Sequence, residues 1–135
     1  MKELFFPYKR VQSDILGEVS IPVAKIFLQG REEIGVDVIV DSGAVISIFP
    51  RSLCDLLELN FEEGKGASVR TATGEEIRIR IHKVKMRIGD YSLNVRAAFS
   101  ESENIPYVLG RLDILEKVEI RFERDRTRFL MRQSH

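Results

Sequence analysis

Apolar residues in this chain recur at every second position. That habit confines it to sheet-based folds, because successive side chains of a strand face opposite ways. Val36, Val38 and Val40 alternate in this way, as do Ile77, Ile79 and Ile81, then Tyr91, Leu93, Val95, Ala97 and Phe99, and finally Val118, Ile120 and Phe122. The earliest run is Val19, Ile21 and Val23, with Pro22 inside it. A proline gives no N–H to a ladder, so an edge strand or a bulge is predicted there. Gln29-Gly30-Arg31, Thr73-Gly74-Glu75, Gly89-Asp90 and Arg124-Asp125-Arg126 supply the turns between runs. Near His82 and Lys83 the apolar parity moves from odd positions to even ones, at Val84, Met86 and Ile88, which predicts a bulge or sharp bend.

Two segments break the alternation. Pro50 suits a first helical turn, and Leu53, Leu56 and Leu57 then fall on one side of a helix. Cys54 lies beside that stripe and reads as a small buried apolar residue rather than a nucleophile. A second short helix is predicted over Leu112 to Lys117.

A chain of 135 residues has the length of one ordinary domain, so residues 1–135 are expected to fold together. Its 21 basic residues balance 21 acidic ones, and 44% of it is hydrophobic, which argues against disorder and against a strongly polyanionic partner. No apolar run approaches the ~20 residues that span a bilayer. The opening Met1-Lys2-Glu3-Leu4-Phe5-Phe6-Pro7 is too short and too acidic for a secretory signal. A cytoplasmic location without membrane contact is the expectation. Cys54, His82 and His135 cannot assemble a zinc-ligand spacing, so neither metal nor other cofactor is expected.

Chemistry concentrates in Val36-Asp37-Val38-Ile39-Val40-Asp41-Ser42-Gly43-Ala44-Val45-Ile46-Ser47-Ile48-Phe49, where a carboxylate stands between two strongly apolar strands. Burying a carboxylate is costly unless it is hydrogen-bonded or protonated, so Asp41 either caps a turn or is used as an acid. Asp-Ser-Gly is a common turn, which keeps the first option open. A faint repeat accompanies it: Tyr107-Val108-Leu109-Gly110, like Val40-Asp41-Ser42-Gly43, places a glycine after an apolar strand.

In their order along the chain these features resemble the retropepsin-like aspartic proteases, the family of the retroviral proteases and their cellular relatives. Asp41-Ser42-Gly43-Ala44 matches the family's Asp-Thr/Ser-Gly-Ala loop, with apolar strands on both sides. The segment from Ser68 to Arg80, turning at Thr73-Gly74, resembles the hairpin flap that closes over substrate. Val108-Leu109-Gly110-Arg111 resembles the apolar-apolar-Gly-Arg segment that packs beneath the active-site loop. The likeness runs from about Ile21 to Leu130 and implies an all-β, retropepsin-like closed barrel with one or two short helices.

It also implies a mechanism. Two carboxylates sharing one proton can hydrolyse a peptide without metal, one activating water and the other polarising the carbonyl. This chain offers one suitable aspartate, so a second Asp41 must come from another copy across a two-fold axis. By the same resemblance Ser42 braces the paired loops, Gly43 lets backbone approach both the carboxylates and the substrate, and Ala44 keeps the loop small where substrate binds. Thr71, Ala72, Thr73, Gly74 and Glu75 then bind substrate through the flap, while Gly110 and Arg111 support the loop from below.

Some positions depart from the family. Val45 and Ile46 stand where retroviral members often carry an acid for the arginine of the second motif, so Arg111 needs another partner, and Asp113 is the candidate. The flap has one glycine rather than several, and the fuller helix after Phe49 is closer to the cellular members. Leu4-Phe5-Phe6 and Phe129-Leu130-Met131 are too apolar for free tails, and the resemblance implies that one or both add strands to the dimer interface.

Other chemistries fit less well. Arg78, Arg80, Lys83, Lys85 and Arg87 form a basic run, but it lacks the aromatics for stacking bases and reads as a solvated strand face with no nucleic acid partner. His82 has neither a nucleophile elbow around Ser42 nor a third partner. The reading is a homodimeric aspartic endopeptidase that cleaves an extended peptide. The alternative is a catalytically silent dimerisation or peptide-binding module of the same fold.

Overall fold

A computed structural model describes residues 2–70 and 74–132. The alternating runs become strands β1 (Lys2–Pro7), β2 (Lys9–Ser13), β3 (Gly17–Ile21), β4 (Val23–Gln29), β5 (Glu33–Val40) and β6 (Ser47–Pro50). Helix α1 (Arg51–Leu56) and a 3-10 turn (Phe61–Glu63) follow, then β7 (Lys65–Arg70), β8 (Glu76–Ile88), β9 (Tyr91–Ser100), β10 (Val108–Leu109), β11 (Val118–Phe122) and β12 (Arg126–Met131).

Strands pair in the order β4-β5-β10-β6-β9-β8, and β8 returns to β4 through Phe27↔Arg87 and Gln29↔Lys85, so the sheet closes into a barrel. Closure removes the edges that an open sheet would leave unpaired. β7 continues outward from β8 as an edge strand, β1, β12 and β11 form a second sheet, and β2 with β3 makes a separate hairpin.

The inward positions are those that period two selects. Ala24, Ile26 and Leu28 of β4 meet Val38 and Val40 of β5, Met86 and Ile88 of β8, and Val95 and Phe99 of β9 in one core. Leu53 and Leu57 plug it from the helix, and Phe129 and Met131 from the terminal sheet. Burying each of these large side chains contributes roughly 1.5–3 kcal/mol, which makes this cluster the main stabilising element. Among the described residues no helix is long and apolar enough to cross a membrane.

Several expectations need correction. Pro22 is neither an edge residue nor a bulge within one strand: it separates β3 from β4, and the inward residues of β4 are the even ones. The parity change near His82 involves no inserted residue, because the register of β8 on β9 is unbroken from Ile79↔Ser100 to Ile88↔Tyr91. What changes is the neighbour on the other edge, from β7 up to Ile81 to β4 from Lys85.

The same unbroken pleat puts Arg78 and Arg80 on the face opposite Lys83, Lys85 and Arg87, so these residues form no single basic face. Leu56 is 62% exposed, unlike Leu53 and Leu57. Leu112 to Lys117 makes turns rather than a helix. Asp113 sits there at φ +66°, a left-handed conformation that a right-handed helix cannot continue through.

The terminal strands pair with each other inside one chain, Lys2↔Met131 to Pro7↔Arg126, and β12 is flanked on its other side by β11. With both edges occupied, β12 has no ladder left to offer a second copy. Only β1 and β11 are free to do so within this sheet.

Candidate active site

The loop from Asp41 to Ile46 joins β5 to β6, and between those two strands lies β10, parallel to β5 and antiparallel to β6. Residues 107–112 therefore thread the opening beneath the loop and are bonded to both of its sides. Ile39 donates its N–H to Tyr107 O at 2.8 Å and Asp41 to Leu109 O at 3.0 Å on one side. Arg111 donates to Ala44 O at 3.0 Å and Leu112 to Val45 O at 2.8 Å on the other.

Gly110 lies at the crossing, and the reason for a glycine is steric. A Cβ there would stand 2.5 Å from the carbonyl carbon of Ile46 and 2.6 Å from its oxygen, contacts that side chains do not make. Its N–H donates to Ser47 Oγ at 2.9 Å in a fully buried bond. Ser47 was not singled out from the sequence, although a lone hydroxyl in the apolar run Val45 to Phe49 is the signal that could have marked it. A buried hydroxyl persists at low cost only when it is hydrogen-bonded, as here.

Within the loop, Asp41 Oδ1 accepts the N–H of Gly43 at 2.8 Å, and Asp41 O accepts that of Ala44 at 3.2 Å. The turn-capping role foreseen for Asp41 is thus present. It occupies one carboxylate oxygen and leaves the residue exposed, so capping and acid chemistry are compatible. Ser42 and Gly43 are exposed beside it, and Ala44 is half-buried. Val40, just before the loop, donates its N–H to Pro22 O at 2.9 Å.

The hairpin expected to act as a flap is formed by β7 and β8, paired from Lys65↔Ile81 to Arg70↔Glu76. Gly74 turns at φ +87°, where L side chains are strained, and its carbonyl accepts from Arg70 Nη1 at 3.2 Å. Gly74 and Glu75 are exposed. Thr71, Ala72 and Thr73 lie outside the described residues.

Asp113 does not pair with Arg111. It is held by Arg96, whose Nε and Nη2 reach its two oxygens at 2.8 and 2.9 Å while the Arg96 N–H adds a third bond at 2.9 Å. The hydrogen-bonded guanidinium brings the Asp113 carboxyl down to about 2. Arg111 is exposed and has no ion-pair partner among the described residues.

His82 does not serve Ser42: its Nε2 lies 3.2 Å from Phe61 O and its ring stands edge-on to Phe99. Burial pushes the Cys54 thiol up to about 11, which keeps it protonated and inert. Among the described residues no three His, Cys, Asp or Glu side chains converge as metal ligands would.

The family model described as "gag-polyprotein putative aspartyl protease" matches residues 28–117, a span that contains the Asp41 loop, the β7–β8 hairpin and the Gly110 crossing. The chain belongs to that family. Its fold is that of the retropepsin-like aspartic proteases. The structure of a retropepsin-like aspartic protease from Rickettsia conorii superposes with a TM-score of 0.67 at 17% identity, covering 96% of this chain and 99% of that one. The EIAV protease complexed with the inhibitor HBY-793 gives 0.58 at 17% identity, over 78% of this chain and 92% of that one. No curated protein matches the sequence.

Proposed function

We propose that this protein is an aspartic endopeptidase that works as a homodimer, with one Asp41 from each subunit sharing a proton across the two-fold axis. The observation that carries the proposal is the Asp41 loop itself. Its backbone is fixed on both sides by residues 107–112, yet its carboxylate keeps one oxygen without a protein partner among the described residues. A carboxylate held rigidly but left accessible is suited to water activation, since positioning is achieved before substrate arrives.

One chain supplies half of the machinery, and the surface around the loop is correspondingly unfinished. Val45, Leu115 and Phe122 are 63%, 44% and 47% exposed, and the last two line a small cavity with Asp41, Ser42 and Arg111. Apolar surface grouped in this way favours a covering partner, and a second copy would also bring the missing aspartate. The peptide would lie extended over the loop as an added strand. The β7–β8 hairpin, with Gly74 and Glu75 at its turn, would close over it and Gly110 with Arg111 would hold the floor. Residues 1–135 would act as one such domain.

The test is cleavage of a mixed peptide library, read by mass spectrometry, for the wild type and Asp41→Asn alongside sedimentation. The amide fills the same space but cannot share the proton, so the variant is expected to remain dimeric and lose hydrolysis. Undiminished cleavage by Asp41→Asn would end the proposal. A wild type that binds peptides without cleaving them would instead be the silent binding module.

A further inference from the structure

Hairpin β2–β3 belongs to neither the barrel nor the terminal sheet, and it is amphipathic. Its pairing, Lys9↔Ile21 and Val11↔Val19, sets Val11, Val19 and Ile21 half-buried on one face. The other face is exposed and carries the Arg10–Glu18 ion pair at 2.8 Å. The apolar face looks onto the outside of the barrel across a groove of about 410 Å³, within the range of roughly 300–1,000 Å³ that small-ligand clefts occupy. Val11 and Ile21 form one wall, and Val23, Ile39 and Tyr107 form the other, with charge only at Lys9 and Asp37.

Three observations connect this groove to the candidate active site. Val38 and Val40 point into the core, so the alternation of β5 carries Ile39 on the outer face, which Asp41 follows two residues later. The root of the hairpin is tied to the same place, because Pro22, between β3 and β4, accepts the Val40 N–H at 2.9 Å. Tyr107, in the groove wall, accepts the Ile39 N–H at 2.8 Å. Two residues of strand span about 6.5 Å, the distance between successive same-face side chains of an extended peptide. A peptide laid over Asp41 and running along the outer face of β5 would bring a side chain to the groove within about one such repeat.

We propose that hairpin β2–β3 is the outer wall of a substrate subsite, and that the groove takes an aliphatic or aromatic side chain of the extended peptide near the cleaved bond. The proposal rests on the aspartic-protease reading of Asp41. It adds a specificity element that the catalytic loop does not provide. A two-stranded hairpin is marginal alone, and an apolar side chain inserted between it and the barrel would bury both walls at once.

The test uses two readouts. Cleavage products of the wild type from a peptide library should share an apolar residue at one fixed distance from the cut. Val11→Lys should lower kcat/KM for those peptides by roughly ten-fold or more, chiefly through KM, and relax that position alone. Val11→Thr, which keeps the shape and the fold, should move the same position by less. A library cleaved without an apolar preference, or a preference unchanged by either substitution, would overturn the subsite. If the wild type cleaves nothing, the protease reading fails, and the groove is judged by fluorescence anisotropy of labelled library peptides on Asp41→Asn. Binding of apolar-containing peptides that Val11→Lys abolishes would uphold the groove; equal binding by both variants, or none, would overturn it.

Discussion

At the scale of single residues, the support of the Asp41 loop divides between shape and charge. Gly110 and Ser47 contribute shape: one leaves room for the backbone of Ile46 and the other receives the Gly110 N–H. Asp113 contributes charge, pinning the turns after Gly110 to β9 through Arg96. The Asp113 carboxyl lies at about 2, below its ordinary 3.8, so the folded state favours its ionised form. The resulting stabilisation is fully present above pH ~4 and is lost as pH falls from ~4 towards ~2. Because Arg96 is half exposed and screened by solvent, Asp113→Asn should cost only about 1 kcal/mol at neutral pH. Urea unfolding at several pH values should show the variant and wild type converging below pH ~3. A constant gap across that range would mean that Asp113 acts through packing instead.

At the scale of elements, two hairpins with a glycine at the turn make a discriminating pair. Gly74 turns the β7–β8 hairpin at φ +87° with nothing described within 4 Å of a prospective Cβ, whereas Gly89 turns β8 into β9 at φ +60° with Leu4 Cδ1 at 2.6 Å. Gly74→Val should therefore leave thermal stability within about 2 kcal/mol of wild type, the scale of a left-handed backbone penalty, while turnover drops. Gly89→Val adds crowding of the Leu4 side chain, which must shift, to the same penalty and should chiefly destabilise. Peptide turnover and calorimetry on both variants check this. Loss of turnover in a folded Gly89→Val together with an unaffected Gly74→Val would assign the flap to the other hairpin.

Most of these elements were legible because alternation is a local property: the runs at Val36 to Val40, Tyr91 to Phe99 and Val118 to Phe122 became β5, β9 and β11. The errors arose where a neighbour decides the outcome. Whether Val19 to Val23 is one strand depends on which partners Pro22 separates, and a β2–β3 pairing is invisible to periodicity. The parity change in β8 reflects a change of neighbouring strand, and Asp113, close to Arg111 in sequence, is reached by Arg96 only through the fold. Asp41 was legible as a turn cap because Asp-Ser-Gly is a local signal, whereas the steric reason for Gly110 is Ile46, far away in sequence, and only the resemblance pointed to it.

At the scale of the whole molecule, the terminal sheet belongs to the fold of the single subunit. The terminal sheet completes the core with Phe129 and Met131, both almost fully buried, so deleting residues after Thr127 would unfold the subunit rather than separate two of them. The proposed dimer is better probed at exposed apolar surface near the Asp41 loop. Phe122, on the free strand β11 and 47% exposed, can be changed to Lys without opening the core. Phe122→Lys should raise the dimer dissociation constant at least about ten-fold by sedimentation while leaving the folded secondary structure intact. Unchanged association would place the interface elsewhere.

Whether each site takes one Asp41 from each of two copies is decided by mixing wild type with Asp41→Asn under conditions where subunits exchange. If every site needs both aspartates, mixed dimers are dead and activity follows the square of the wild-type fraction, falling to about one quarter in an equal mixture at constant total protein. A linear decline, to about one half, would mean that each chain catalyses alone and would contradict the account.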